Sequence, residues 1–269
     1  MELITTHTHS TFCEHAKDSL SDMVNAAIAA GITTMAATEH YPITKAFDES
    51  LKATMLASRL DEYVTAVRQE QAAHPELDLL LGCELDYFGD LEDRIIDDDD
   101  LACFDVILGS VHFIDRWLFN STRFEEHWHD VDVDAVWIRY IDLWCDAAVS
   151  DRPFTVMAHP DVVKKFGFMP SFDLVPYYRR MADAAQAGGR MVEVNTAGLR
   201  DKVGEVYPSP DLLTEFAHAG VPCTVGTDAH RVEHIASGIQ DAYAAMYAAG
   251  YRNVTVPTKG RGRRVIPLS

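Results

Sequence analysis

Val106-Ile-Leu-Gly-Ser-Val111-His112 is an uncharged, mostly apolar run of strand length that ends on a histidine. Such a run fits a strand buried on both faces, as the strands of parallel sheets are. The same arrangement recurs outward from it in both directions. Towards the N-terminus, Leu79-Leu-Leu-Gly-Cys83 leads into Glu84, Met35-Ala-Ala-Thr38 into Glu39-His40, and Leu3-Ile4 into His7 and His9. Towards the C-terminus, Phe154-Thr-Val-Met-Ala158 leads into His159, Glu193 and Asn195 interleave with Val192 and Val194, and Val225-Gly-Thr227 leads into Asp228 and His230. The pattern predicts strands at about 2–6, 32–38, 78–83, 105–110, 154–158, 190–194 and 222–227. Amphipathic stretches between them predict helices at about 19–30, 51–73, 132–149, 172–188, 209–219 and 236–249. Asp18-Ser19 and Gly31 bracket the first helix, and Ser209-Pro210 and Gly220 bracket another. Val254-Thr-Val256 reads as a further edge strand. Strand–helix alternation implies a mainly parallel sheet. Seven such units without a Gly-x-Gly-x-x-Gly turn favour a closed α/β barrel over a dinucleotide-binding open sheet. The 269 residues suit one barrel domain spanning 1–269, since this architecture takes about 250.

In a parallel barrel all strand C-termini meet at one face, where active sites lie. A single buried histidine is usually a hydrogen-bonded core residue, but here the strand ends behave alike one after another. His7-x-His9 and Asp228-x-His230 are i, i+2 pairs, which on a strand point the same way with roughly 6.6 Å between Cα atoms. Imidazoles so placed can converge on one ion at bonds of about 2.0–2.1 Å. Mixed nitrogen and oxygen donors without cysteine suit Zn, Mn or Fe better than Ca or Mg. The residues therefore point to a multinuclear, hydrolytic metal site. His127-x-His129 repeats the spacing inside Phe124-Glu-Glu-His-Trp-His-Asp130 and reads as part of a polar loop. His74, His218 and His234 read as surface residues, Cys13 and Cys83 as structural thiols, and Trp137, Tyr140, Ile141 and Trp144 as one buried helix face.

With 42 acids against 23 bases the formal net charge is −19. A nucleic-acid binder normally presents a basic face, and only Lys259-Gly-Arg-Gly-Arg-Arg264 is basic here, so nucleic acid is not an expected partner. Asp97 to Asp100 reads as a solvated turn. Phosphate chemistry in so acidic a chain needs local positive charge, which metal ions supply. Five cysteines without a Cys-x-x-Cys pair fit free thiols in a reducing cytosol. The N-terminus lacks a basic region followed by an apolar one, and no run of about 18 apolar residues occurs, so a cytoplasmic location away from membranes is expected. Oligomeric state is not written in these features.

The ordered set His-x-His, Glu-His, lone Glu, lone His, His and Asp-x-His resembles the polymerase-and-histidinol-phosphatase (PHP) superfamily. Three segments resemble its monofunctional histidinol-phosphatases. They are Gly109-Ser-Val-His112-Phe with Trp117-Leu-Phe-Asn120, Ala158-His-Pro-Asp161-Val-Val-Lys164-Lys165-Phe166, and Glu193-Val-Asn195-Thr-Ala-Gly198-Leu-Arg200 with Tyr207-Pro-Ser-Pro210. The match runs from His7 to about Gly238.

The resemblance implies a distorted (β/α)7 barrel holding two or three divalent metal ions. Carried over, His7, His9, Glu84 and Asp228 would bind the first ion. Glu84 would bridge to a second with His112 and His159, while His15, His40 and His230 would bind the third. Glu39 would orient its neighbours, and Arg200 and Lys165, with Asn195 and Asp161, would contact the substrate. Lys164 and Lys165 stand where the family often has arginine, and lysine binds phosphate as a point charge without the planar fork. The implied reaction is hydrolysis of L-histidinol phosphate by a hydroxide shared between ions, with Asp228 orienting it and Glu84 holding the ions. The substrate's ammonium and imidazole suit an acidic pocket, for which Asp161, Glu193 or Glu205 are candidates. Another small phosphate ester is the nearest alternative, followed by a nuclease and by a metal-binding protein without turnover.

Overall fold

The structure is a computed structural model that describes residues 1–45, 47, 52–89, 101–258 and 264–268. The chain opens with β1 (Leu3–Thr5), α1 (Leu20–Ala29), β2 (Ile32–His40), α2 (Leu60–Ala73) and β3 (Asp78–Asp86). Next come β4 (Val106–Ser110), a small hairpin of β5 (Phe113–Ile114) and β6 (Trp117–Leu118), a 3-10 segment Thr122–His129 and α3 (Val133–Val149). Then follow β7 (Val156–Met157), α4 (Val175–Ala187), β8 (Met191–Asn195), α5 (Pro210–His218), β9 (Cys223–Gly226), α6 (Ile239–Ala248), β10 (Asn253–Val256) and β11 (Arg264–Pro267).

Seven strands pair in parallel in the order β1-β2-β3-β4-β7-β8-β9. The ring nearly closes between β1 and β9. Thr6 N donates to Val225 O (2.8 Å), Asp228 N to His7 O (2.9 Å) and His9 N to Ala229 O (2.9 Å). Hydroxyl contacts Thr5–Thr227 (2.9 Å) and Thr6–Thr224 (3.1 Å) add to this seam. The architecture is therefore a distorted parallel (β/α)7 barrel of the α/β class. Its register matters for function, because β2 and β3 align His40 opposite Glu84 and β3 and β4 align Asp86 opposite Ser110.

Local chemistry explains the boundaries. Ser19 and Asp22 form a reciprocal capping box at α1, and Gly31, at φ +77°, makes the turn into β2. Pro210 occupies the first turn of α5, where its missing N–H costs nothing. The i, i+3, i+4 stripe Trp137, Tyr140, Ile141 and Trp144 of α3 is buried.

Three elements depart from the sequence-based expectation. The helix expected over 51–73 begins only at Leu60, after a 3-10 turn Ala57–Arg59. Thr54 and Met55 are buried and Met55 bridges to Cys13, so tertiary packing overrides helix propensity there. The strand at Val254 does not extend the barrel but pairs with β11 in a separate antiparallel sheet. The β5–β6 hairpin falls between the strand expected at 105–110 and the helix expected at 132–149, where no element was expected. The Asp97–Asp100 run and residues 259–263 of the basic stretch lie outside the described residues. Among the described residues no helix is long and apolar enough to cross a membrane.

Candidate active site

The C-terminal ends of the barrel strands gather the expected ligands around one carboxylate. Glu84, on β3 and buried, offers Oε2 to His40 Nδ1 (2.9 Å), His7 Nε2 (3.2 Å) and His9 Nε2 (3.4 Å). Its Oε1 faces His159 Nε2 (2.9 Å) and His112 Nε2 (3.3 Å) and accepts from Ser110 Oγ (2.6 Å). Asp228 Oδ1 lies 3.3 Å from His9 Nε2 and 3.8 Å from His7 Nε2. His15, from the loop after β1, reaches His230, their Nε2 atoms 2.9 Å apart. All of the residues expected to hold metal thus come together, including His15, whose position in a loop carried the weakest spacing signal.

The donor arrangement itself fits cations. Nε2 atoms face one another in His7–His9 (3.0 Å), His112–His159 (3.2 Å) and His15–His230 (2.9 Å). His7 Nδ1 pairs with Glu193 Oε1 (2.9 Å), which leaves Nε2 aimed at His9 Nε2. At such separations two lone pairs would repel, so a proton or a metal cation has to lie between the nitrogens of each pair. Among the described residues five groups of three donors, His9–His40–His230, His7–Glu84–His159, His7–His9–Asp228, His40–Glu84–His112 and, behind His9, His9–Cys13–Glu39, each lie close enough to hold one ion.

Electrostatics keep His9, His15, His230, Glu84 and Asp228 in binding form, while His7 holds its proton more tightly. Burial pulls His15 down to about 3 and His230 to about 4, with the neighbouring imidazoles adding to it, so both stay neutral. Burial and the flanking His230 and His40 likewise lower His9. Burial opposes the charge on Glu84 and Asp228, yet the surrounding histidines win and both carboxyls lie well below their ordinary range. At His7 the carboxylates of Glu193, Glu84 and Asp228 outweigh burial and raise its pKa. Glu39, pushed up to about 7 by burial against hydrogen bonds that favour its charge, accepts from Ser10 N, Ser10 Oγ and Cys13 Sγ. It sits behind His9, at 4.0 Å, where it fixes the loop that carries His9 and Cys13.

A cavity of about 860 Å³ opens on this cluster. Arg200 and Lys165 line it, with Arg123, Arg231, His234, Glu14, Asp86, Asp201 and Tyr207. Arg200 is aimed by its donation to Thr227 O (2.7 Å), and Lys165 lies 3.8 Å from Asp201. The expected substrate contacts Asn195 and Asp161 are placed otherwise. Asn195 is buried under the site and donates to Glu193 Oε2 (3.0 Å) and towards Asp228 Oδ2 (3.4 Å). Asp161 is buried against Lys164 Nζ (2.9 Å) and accepts from Ser209 N (2.8 Å). Glu193 is buried too, and Glu205 pairs with Lys164 (2.7 Å), so neither belongs to an acidic pocket wall. Lys164 is 0% exposed and ties the β7 and β8 loops together away from the cavity. These residues sit next to ligands in sequence, but the strand pleat and the loop turns send them inward or backward.

Sequence reasoning passed over Asp86, which lies 2.9 Å from His112 Nδ1. Its i, i+2 relation to Glu84 on β3 was the available signal. His234, read as a surface residue, lines the cavity. His127 and His129 pack on Trp117 and Phe168 instead. Two non-glycine residues of the site, His159 (φ +25°) and Asp228 (φ +49°), hold left-handed backbone, a strain that clusters at functional sites.

A family model described as PHP domain matches residues 5–197. The chain belongs to the PHP family. A relative from Deinococcus radiodurans that bears the name "Probable histidinol-phosphatase" is 31% identical over 257 residues, covering 94% of this PHP chain and 96% of its own. Among solved structures, a chain from Listeria monocytogenes superposes with a TM-score of 0.80 at 22% identity, over 88% of this chain and 99% of that one. Histidinol phosphate phosphatase from Lactococcus lactis, in complex with zinc, L-histidinol and phosphate, superposes with a TM-score of 0.76 at 20% identity, over 96% and 97%. At these identities the two structures establish that the PHP barrel is shared.

Proposed function

We propose that the chain is a metal-dependent phosphomonoesterase whose substrate is L-histidinol phosphate. The observation that carries the reading is the convergence of facing imidazole nitrogens on Glu84, beside a cavity wall bearing Arg200 and Lys165. Ions of Zn, Mn or Fe type, two or three in number, suit this donor set. When bound they would act as Lewis acids, lowering the pKa of water and neutralising phosphate charge. His7, His9, Glu84 and Asp228 would hold one, Glu84 with His112 and His159 a second, and His15, His40 and His230 a third.

The chain's own groups set the geometry of attack. Arg200, whose Nη2 donates to Thr227 O and whose Nη1 reaches Thr196 O at 3.4 Å, turns its remaining N–H groups to phosphate oxygens. Lys165 adds a point charge. Asp228, with its carboxyl depressed and 19% of the side chain exposed, is the base placed to accept a hydrogen bond from an attacking water and to orient it in line with phosphorus. Glu14 and Asp86, acids on the cavity wall, are the groups placed to meet the ammonium and imidazole of histidinol phosphate, the role expected earlier of Asp161, Glu193 or Glu205. The relatives' names and the zinc, histidinol and phosphate of the L. lactis complex support the substrate choice.

Phosphate release, measured together with elemental analysis of the purified protein, tests the reading. Histidinol phosphate should exceed sugar and nucleotide monophosphates in kcat/KM by at least about tenfold, roughly 1.4 kcal/mol of transition-state discrimination. Equal values for all three would leave a PHP phosphatase of another small ester.

A further inference from the structure

Glu193 is fully buried on β8, between the strands that carry the candidate ligands. Its two oxygens are divided between neighbours on opposite sides. Oε1 accepts from His7 Nδ1 at 2.9 Å, while Oε2 accepts from the backbone N–H of His159 at 2.9 Å and from Asn195 Nδ2 at 3.0 Å. The same Asn195 amide reaches towards Asp228 Oδ2 at 3.4 Å. One carboxylate therefore touches the ring of a β1 ligand and the main chain of a β7 ligand, and through Asn195 it extends to a β9 ligand. Two of these corners, His159 and Asp228, are the ones held at positive φ. A second, independent feature concerns space. Gly226 on β9 faces Glu193, and a Cβ there would lie 1.8 Å from Glu193 Oε1 and 2.6 Å from His7 Cβ. The φ of Gly226 is not positive, so clearance for the carboxylate is what requires glycine at this position.

We propose that Glu193 is a positioning residue that couples the cation groups containing His7 and His159 while leaving the His15, His40 and His230 group independent. Carboxylate–imidazole pairing fixes the His7 tautomer and the direction of its Nε2 lone pair. Acceptance from His159 N–H holds the left-handed turn that points His159 at Glu84. His15, His40 and His230 have other supports: Lys52 O lies 3.2 Å from His15 Nδ1, Cys13 Sγ accepts from His40 N, and Asp228 O lies 3.1 Å from His230 Nδ1. This inference concerns cation binding and does not depend on which ester is the substrate.

Cobalt titration of the metal-free full chain, followed by visible absorption, tests it without any turnover. Glu193→Gln can accept through only one oxygen, so it cannot serve His7 and His159 together. The expected result is selective: one class of cobalt site keeps its parental affinity, while the remaining class weakens by about 10- to 100-fold. Glu193→Asp keeps the charge but withdraws it by one methylene. It should reproduce the selectivity, and it supplies the same comparison should the glutamine variant fail to fold. Thermal unfolding of both metal-free variants is recorded alongside. Parental cobalt affinity at every site in either folded variant would overturn the proposal. So would an equal weakening of all sites, which would mark Glu193 as a general structural support.

Discussion

At the scale of single residues, the site concentrates its dependence on Glu84. Both of its oxygens are shared among histidines from several strands, so no other side chain can compensate for losing one of them. Glu84→Gln keeps the shape but exchanges one oxygen for a donor that faces imidazole nitrogens. Bound metal per chain, by elemental analysis, should fall together with activity, and the activity loss should exceed roughly 100-fold, the upper range for removing a mere supporting group. Ser110→Ala removes only the hydroxyl that donates to Oε1, and about 10-fold loss with metal retained is the expected outcome. Lys164 provides the opposite case, a buried charge that stabilises without touching the cavity. Lys164→Met leaves the Asp161 carboxyl, already raised by burial, without its cation at 1% exposure. Breaking a buried pair in this way costs about 3–5 kcal/mol, to be read from denaturant unfolding of the variant.

At the scale of elements, two strand glycines separate fold from function. A Cβ at Gly109 on β4 would meet the ring of Phe154 at 2.6 Å, on the helix-packed side of the sheet. A Cβ at Gly226 on β9 would strike Glu193 and His7, on the site side. Overpacking costs about 1–3 kcal/mol in either place, but the consequences should divide. Gly109→Ala lowers the unfolding midpoint with metal content per chain preserved, whereas Gly226→Ala loses metal at temperatures where the barrel is still folded. Circular dichroism paired with elemental analysis distinguishes the two, and identical metal content in both variants would contradict the assignment. The strands were legible in the sequence because each is a short apolar run closed by a polar residue, and their C-terminal ends carried His7, His40, Glu84, His112, His159 and Asp228 in plain view. Pleat and loop direction were harder to read. Asn195 follows Glu193 by two residues and shares its inward face, so both support ligands rather than substrate. Residues 52–56 carry a helix-like composition but are drawn along the cavity mouth by contacts with the β1 loop, which no local pattern encodes.

At the scale of the whole molecule, the barrel rim assembles a dense set of imidazoles and carboxylates in an interior otherwise built from apolar strands. Cations held by this set would bind the folded chain in preference to the unfolded one, and so would stabilise it by mass action. At a free ion concentration 100 times the dissociation constant the gain is about 2.7 kcal/mol, and for a chain of this size each kcal/mol moves the midpoint by about 2–4 °C. Chelation should therefore lower the unfolding temperature by roughly 5–10 °C. The chelated chain should also show a defined pH response. His15 at about 3 and His230 at about 4, with His9 also lowered, stay neutral in the fold because burial and adjacent imidazoles oppose their charge. Unfolded, each titrates near 6.5, so between roughly pH 6.5 and 4 the unfolded state binds more protons and stability declines as pH falls. His7 acts in the other sense: raised by Glu193, Glu84 and Asp228 against burial, its contribution is complete below its unfolded pKa and fades as pH rises through its folded one. Three lowered histidines outnumber the raised His7 and the raised Glu39, so acidification gives a net loss, and the depressed Glu84 and Asp228 extend that loss below their own unfolded pKa values. Thermal unfolding of the chelated protein from pH 8 to pH 5 should show a midpoint that falls continuously below about pH 6.5. A midpoint that rises over that interval would mean that His7, rather than the His9, His15 and His230 cluster, dominates the proton balance of the site.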